Sequence, residues 1–131
     1  MIIKMKLIIG GYAQGKLNYV LKRYRLEDYI VFDGGLPADI EDHGKIMILN
    51  HFHHWVKERI RNGGSPETEI AALTERFPDC IIVSDEIGNG IVPIDRTERD
   101  YRERTGRLLV ELAGQADEVV RVICGIGQKI K

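Results

Sequence analysis

Four groups of residues in this chain have types and spacings suited to chemistry. The first is Gly10-Gly11-Tyr12-Ala13-Gln14-Gly15-Lys16-Leu17. The pattern G-x-x-x-x-G-K follows an apolar run and precedes helically spaced apolar residues. In that context main-chain N–H groups and a helix start face an anion, and Lys16 supplies a point charge to the β- and γ-phosphates. Leu17 breaks the pattern, because a serine or threonine hydroxyl at this position would ligate magnesium. The plain alternative is a strand-to-helix turn that holds no ligand.

The second group is the acidic pair Asp85 and Glu86, which closes the apolar run Cys80-Ile81-Ile82-Val83. Phosphoryl transfer needs a carboxylate at a neighbouring strand end to hold magnesium or orient a nucleophile, so Asp85 or Glu86 is the expected residue. Otherwise they are exposed turn residues. The third group is Asn50 with His51, His53 and His54 behind it. Asn50 stands where a P-loop protein places a first carboxylate, and Asn50 and His51 are candidate phosphate or substrate contacts. His54 and Glu58 at i, i+4 spacing suggest zinc, but a complete ligand set is lacking. The fourth is Arg96, Arg99 and Arg102. These form either a charged helix face or an anion clamp.

Elements that place these residues can be read from periodicity. Met5–Ile9, Tyr29–Phe32, Ile46–Leu49, Cys80–Val83 and Val119–Cys124 are short β-rich apolar runs and predict five strands. Leu17, Val20, Leu21 and Tyr24 fall on one helical face, as do Phe52, Trp55, Val56 and Ile60. Ser65-Pro66 restarts a helix with serine as N-cap, and Ile70, Leu73 and Phe77 bury it. Asp95 with Glu98 resembles a capping box at the start of the longest helix, lined by Tyr101, Thr105, Leu108 and Leu112. Glycine-bearing loops span 34–44 and 88–93, and Gln128–Lys131 reads as a tail. Strands alternating with helices predict an α/β, P-loop NTPase-like three-layer domain with a mainly parallel sheet, a single nucleotide-binding domain over 1–131. Ligands in such sheets bind beyond the carboxyl ends of the strands, where the first three groups should converge.

The totals narrow the class further. A net charge of −1 over 131 residues, with the signs interspersed, favours neither a nucleic-acid nor a membrane surface. No apolar run approaches a membrane span, and the apolar stretch before Gly10 is too short for a signal peptide. Cys80 and Cys124 sit in apolar runs and read as reduced, buried thiols, so a soluble cytoplasmic protein is expected.

The second half resembles a known family. Val83-Ser84-Asp85-Glu86-Ile87-Gly88-Asn89-Gly90-Ile91-Val92-Pro93, then Arg96, Arg99, Tyr101-Arg102 and Gly106-Arg107, is similar to the adenosylcobinamide kinase / adenosylcobinamide-phosphate guanylyltransferase family. Ala116-Asp117-Glu118-Val119 and the ending Gly125 to Lys131 add to the likeness, which covers about the last 50 residues. It implies a P-loop fold and a role in cobalamin biosynthesis. It also implies Mg2+ with ATP or GTP, phosphorylation of the corrinoid adenosylcobinamide at a hydroxyl, and a homo-oligomer. Members also transfer GMP through a guanylylated histidine. This chain departs at Leu17, at Asn50, at Asp85 in place of asparagine and at Leu109, and the segment after the second strand is shorter. His43, the one histidine in that segment, lacks the family context. The kinase half is therefore expected over the guanylyltransferase half. The alternative is a catalytically degenerate regulatory subunit that binds a nucleotide or corrinoid.

Overall fold

The computed structural model describes residues 5–36, 44–87 and 95–131. Its elements run β1 (Lys6–Gly10), α1 (Lys16–Leu21), β2 (Tyr29–Asp33), β3 (Ile46–Asn50), α2 (Phe52–Arg61), α3 (Pro66–Arg76), β4 (Ile81–Asp85), α4 (Arg96–Gln115), β5 (Glu118–Ile123) and β6 (Ile126–Lys129). The sheet order is β2-β3-β4-β1-β5-β6, and every pairing is parallel except that of β5 with β6. This is the expected α/β three-layer architecture.

Strand side chains alternate between two faces, and helices cover both. On one face Leu7, Leu49, Ile82 and Val119 pack with Phe52 and Trp55 of α2, Leu73 of α3 and Leu108 of α4. On the other, Ile8, Ile48, Val83 and Val122 meet Val20 and Leu17 of α1. The central strands therefore read as continuous apolar runs rather than alternating ones.

Several local expectations change. The helix after the glycine turn ends at Leu21, yet Tyr24 still reaches the same core, because Arg23 and Tyr24 continue the chain through i→i+3 hydrogen bonds to Val20 and Leu21. The tail is a strand: Ile126–Lys129 turns back antiparallel on β5. Cys80 is buried, but Cys124 is exposed at the turn into β6 with φ 50°. Ser65 makes no capping bond to the α3 backbone and donates instead to Thr68 Oγ1. Asp95 does cap α4, accepting from Thr97 N at 2.9 Å, while Glu98 turns to Lys57 at 3.0 Å rather than closing a box. The loop over 88–93, and Pro37 and His43 of the earlier loop, lie outside the described residues.

Candidate functional site

The register decides what meets at the carboxyl edge of the sheet. Gly10 at the end of β1 is paired with Asp85 at the end of β4, and Asp33 of β2 with Asn50 of β3. Four strand ends thus deliver a glycine turn, two carboxylates and an amide to one rim.

The Gly10–Lys16 segment is a folded-back turn. Ala13 and Gly15 both take left-handed backbone, at φ 56° and φ 82°. A Cβ on Gly10 would lie 2.6 Å from the Val122 carbonyl oxygen and 3.2 Å from Lys16 Cδ, so only glycine lets the lysine stem cross here. Gln14 fastens the turn to the β5–β6 corner, its carbonyl accepting from Gly125 N and its Oε1 from Cys124 N, both at 2.8 Å.

Lys16 is 8% exposed, and its Nζ donates to Gly11 O at 2.6 Å and to Asp85 Oδ1 at 2.7 Å. The other carboxylate oxygen of Asp85 lies 3.3 Å from His53 Nε2. The main-chain N–H of Asp85 donates to His53 Nδ1 at 3.1 Å. Because Nδ1 accepts, this bonding pattern assigns the ring proton to Nε2, the nitrogen that faces the carboxylate. Burial pushes the His53 pKa down from 6.5 to about 4, against the pull of the Asp85 charge. A neutral imidazole, a carboxylate and an ammonium therefore run in series across the rim.

Tyr12–Asn18, Asn50, His51, His53 and Val83–Asp85 enclose a cleft of about 380 Å³. A hollow of about 400 Å³ lies at the opposite end of the sheet, against Met5, Thr74, Gln115 and Asp117. It offers neither a glycine turn nor a lysine, so chemistry rather than volume selects the first cleft.

The expected residues divide accordingly. Tyr12, Ala13, Gln14, Gly15, Lys16, Leu17, Asn50, His51 and Asp85 line the cleft. Glu86 does not: it turns to Arg121 on β5, which grips it through Nε at 2.6 Å and Nη2 at 3.1 Å. Arg96 and Arg99 are exposed at the start of α4, Arg102 lies 3.9 Å from Glu98, and none of the three lines the cleft. Among the described residues no three His, Cys, Asp or Glu side chains are grouped to hold a metal, and no helix is long and apolar enough to cross a membrane.

One site residue escaped the sequence reading, and a second was noted there only as a member of the histidine cluster. Asp33 ends β2 just as Asp85 ends β4, and its Oδ1 accepts from Asn50 Nδ2 at 2.9 Å. His53 is 5% exposed, and its spacing to Val56 and Ile60 placed it on the apolar face of α2 from the outset. That position was the available signal.

A mainly parallel sheet with helices on both faces, and a glycine turn ending in lysine beyond its first strand, define a P-loop NTPase-like domain. Residues 23–130 match the family described as cobinamide kinase / cobinamide phosphate guanyltransferase, and the chain belongs to that family. The matched stretch begins after the glycine turn, so the turn stands on its own geometry. Among curated proteins, the chain is 44% identical over 63 residues to the bifunctional adenosylcobalamin biosynthesis protein CobU of Salmonella typhimurium. It is 43% identical over 63 residues to the protein of that name from Escherichia coli. Each alignment covers 47% of this chain and 35% of the relative, so the match spans about a third of the relatives' length.

Proposed function

We propose that this protein binds a nucleoside triphosphate in the cleft above Gly10–Lys16 and transfers its terminal phosphoryl group to a hydroxyl of a corrinoid such as adenosylcobinamide. The observation that carries the reading is the placement of Lys16: a nearly buried ammonium in the lining of a cleft walled by a left-handed glycine turn. An arriving polyphosphate takes over the lysine from Asp85, and the turn's main-chain amides add hydrogen bonds. ATP or GTP fits this chemistry equally.

The donor set also accommodates Mg2+. Asp85 presents a carboxylate to the cleft, and magnesium is commonly held by one or two carboxylates with phosphate oxygens and waters completing its shell. Asp85, rather than Glu86, is the residue that would hold it, since Arg121 already occupies both oxygens of Glu86. When bound, the ion supplies charge neutralisation on the phosphates. The guanylyltransferase step is not included, because His43, the histidine of the shortened segment, lacks the family's sequence context. Homo-oligomeric assembly and a cytoplasmic location complete the reading on the family resemblance.

One observation favours a second reading, a binding subunit without turnover. Leu17 puts hydrocarbon into the cleft lining where a hydroxyl would serve the metal. Thermal shift with ATP and GTP, each with and without Mg2+, followed by assay of phosphoryl transfer to adenosylcobinamide, separates the two. A Mg2+-enhanced shift with turnover supports the kinase. A Mg2+-independent shift without turnover supports the binding subunit, and no shift with either nucleotide removes both.

A further inference from the structure

Of the three histidines at the start of α2, His51 alone combines an orienting carboxylate with a free ring nitrogen. Its Nδ1 lies 2.5 Å from Asp33 Oδ1. Asp33 is fixed in turn, because the same oxygen accepts from Asn50 Nδ2 at 2.9 Å. With Nδ1 donating to the carboxylate, the neutral ring carries its lone pair on Nε2. That nitrogen has no hydrogen-bond or ion-pair partner among the described residues. The side chain is 44% exposed, yet it lines the same cleft as Lys16 and Asp85. His53 is excluded, because it is 5% exposed, its Nδ1 accepts from Asp85 N and its Nε2 lies against the Asp85 carboxylate. His54 stacks on His51 with ring centroids 5.1 Å apart, and among the described residues no carboxylate orients it.

The backbone supports the same assignment. His51 precedes α2 at φ 51° and ψ 45°, a left-handed conformation that few non-glycine residues adopt. Such strained positions cluster at working sites. Here the strain sets the imidazole at the rim between the ends of β2 and β3.

We infer that His51, oriented by Asp33, is the general base that accepts the proton of the attacking hydroxyl during phosphoryl transfer. The inference rests on the phosphotransfer reading above. The hydroxyl oxygen bonds to the terminal phosphorus as its proton passes to His51 Nε2. The bond from that phosphorus to the bridging oxygen breaks, and the nucleoside diphosphate leaves with the electron pair. Asp33 stabilises the imidazolium so formed. A carboxylate–imidazole pair with one open nitrogen is the arrangement general-base catalysis requires.

The test compares wild type with His51→Asn, His51→Ala and Asp33→Asn. Asparagine tolerates left-handed backbone and keeps a hydrogen bond to Asp33, so it retains the local fold while removing the base. The expected result is a loss of kcat for transfer to adenosylcobinamide of at least about a hundredfold in both His51 variants, with KM for the nucleotide changed less than about threefold. Asp33→Asn should lose about tenfold, the range expected when the orienting group is weakened.

A second readout does not depend on turnover. Diethyl pyrocarbonate, mapped by peptide mass, should modify His51 faster than His53 or His54, and Mg2+ with the nucleotide should protect it. Retained kcat in His51→Asn overturns the inference, as does raised KM with kcat preserved, which would mark a phosphate contact. Lack of nucleotide protection overturns it too. If wild type binds nucleotide but transfers nothing, the phosphotransfer reading itself fails, and this assignment with it.

Discussion

Lys16 Nζ and Asp85 Oδ1 lie 2.7 Å apart, joining the glycine turn after β1 to the end of β4. The two residues are far apart in sequence, but the β1–β4 register sets Gly10 beside Asp85, so the lysine needs only to fold back over its own turn. At 9% and 20% side-chain exposure both charges are largely out of water, and each depends on the other until an anion arrives.

Lys16→Ala should therefore abolish any nucleotide-dependent rise in melting temperature. It should also lower the stability of the free protein by about 1–3 kcal/mol, since Asp85 keeps its charge but loses the ammonium. Thermal and urea unfolding, with and without ATP and GTP, measure the two effects separately. An unchanged nucleotide shift would falsify the assignment of the turn.

Leu17→Ser supplies the hydroxyl that the turn lacks. Magnesium-dependent nucleotide affinity should rise about three- to tenfold, the equivalent of one modest added contact. Titration calorimetry at fixed nucleotide with and without Mg2+ reads this directly. Equal affinities in variant and wild type would place the metal beyond reach of position 17.

The two acidic residues of the pair should behave differently. Asp85→Asn is expected to weaken Mg2+-dependent nucleotide binding at least tenfold more than Glu86→Gln, because only Asp85 lines the cleft. The Glu86 change should act on stability instead, by weakening its two-point contact with Arg121 on β5. Paired binding and unfolding measurements on both variants decide the matter, and equal losses of binding would move the cation site.

His53 predicts how stability varies with pH. Its pKa falls from 6.5 to about 4 on folding, so the unfolded chain binds the proton first as pH drops. Stability from this group is complete above about pH 6.5, declines between 6.5 and 4, and levels off below. The full difference is about 3 kcal/mol. Urea unfolding across that range should show stability rising with pH in wild type and a flatter profile in His53→Gln. Parallel profiles would mean that His53 is not the group responsible.

Gly10→Ala tests the close approach beneath the lysine. The added Cβ would sit 2.6 Å from the Val122 carbonyl oxygen, which is backbone and cannot rotate away. A loss of about 1–3 kcal/mol is expected, together with weakened nucleotide binding as the Lys16 stem is displaced. Gly11→Ala meets nothing nearer than 3.6 Å and serves as the control in the same unfolding assay.

Much of this protein could be read along the chain. Apolar runs of strand length, helical stripes such as Phe52-Trp55-Val56-Ile60, and the turn from Gly10 to Lys16 are local patterns, and local geometry determines them. That was enough for the α/β class, for the rim where the candidate site lies, and for Lys16 with the undivided pair Asp85 and Glu86 as its candidate charged members. Pairing and side-chain direction were beyond it. Ile126–Lys129 becomes a strand only because the edge of β5 offers it partners, which no tail-like composition announces. Neighbouring residues Asp85 and Glu86 point to opposite sides because strand side chains alternate, and the β4 register decides which of them meets Lys16. The union of Asp33, Asn50 and His51, and of His53 with Asp85, joins residues from different strands and a helix. Sequence settled which groups are present; only the folded sheet, by lining up its strand ends, settled which of them touch.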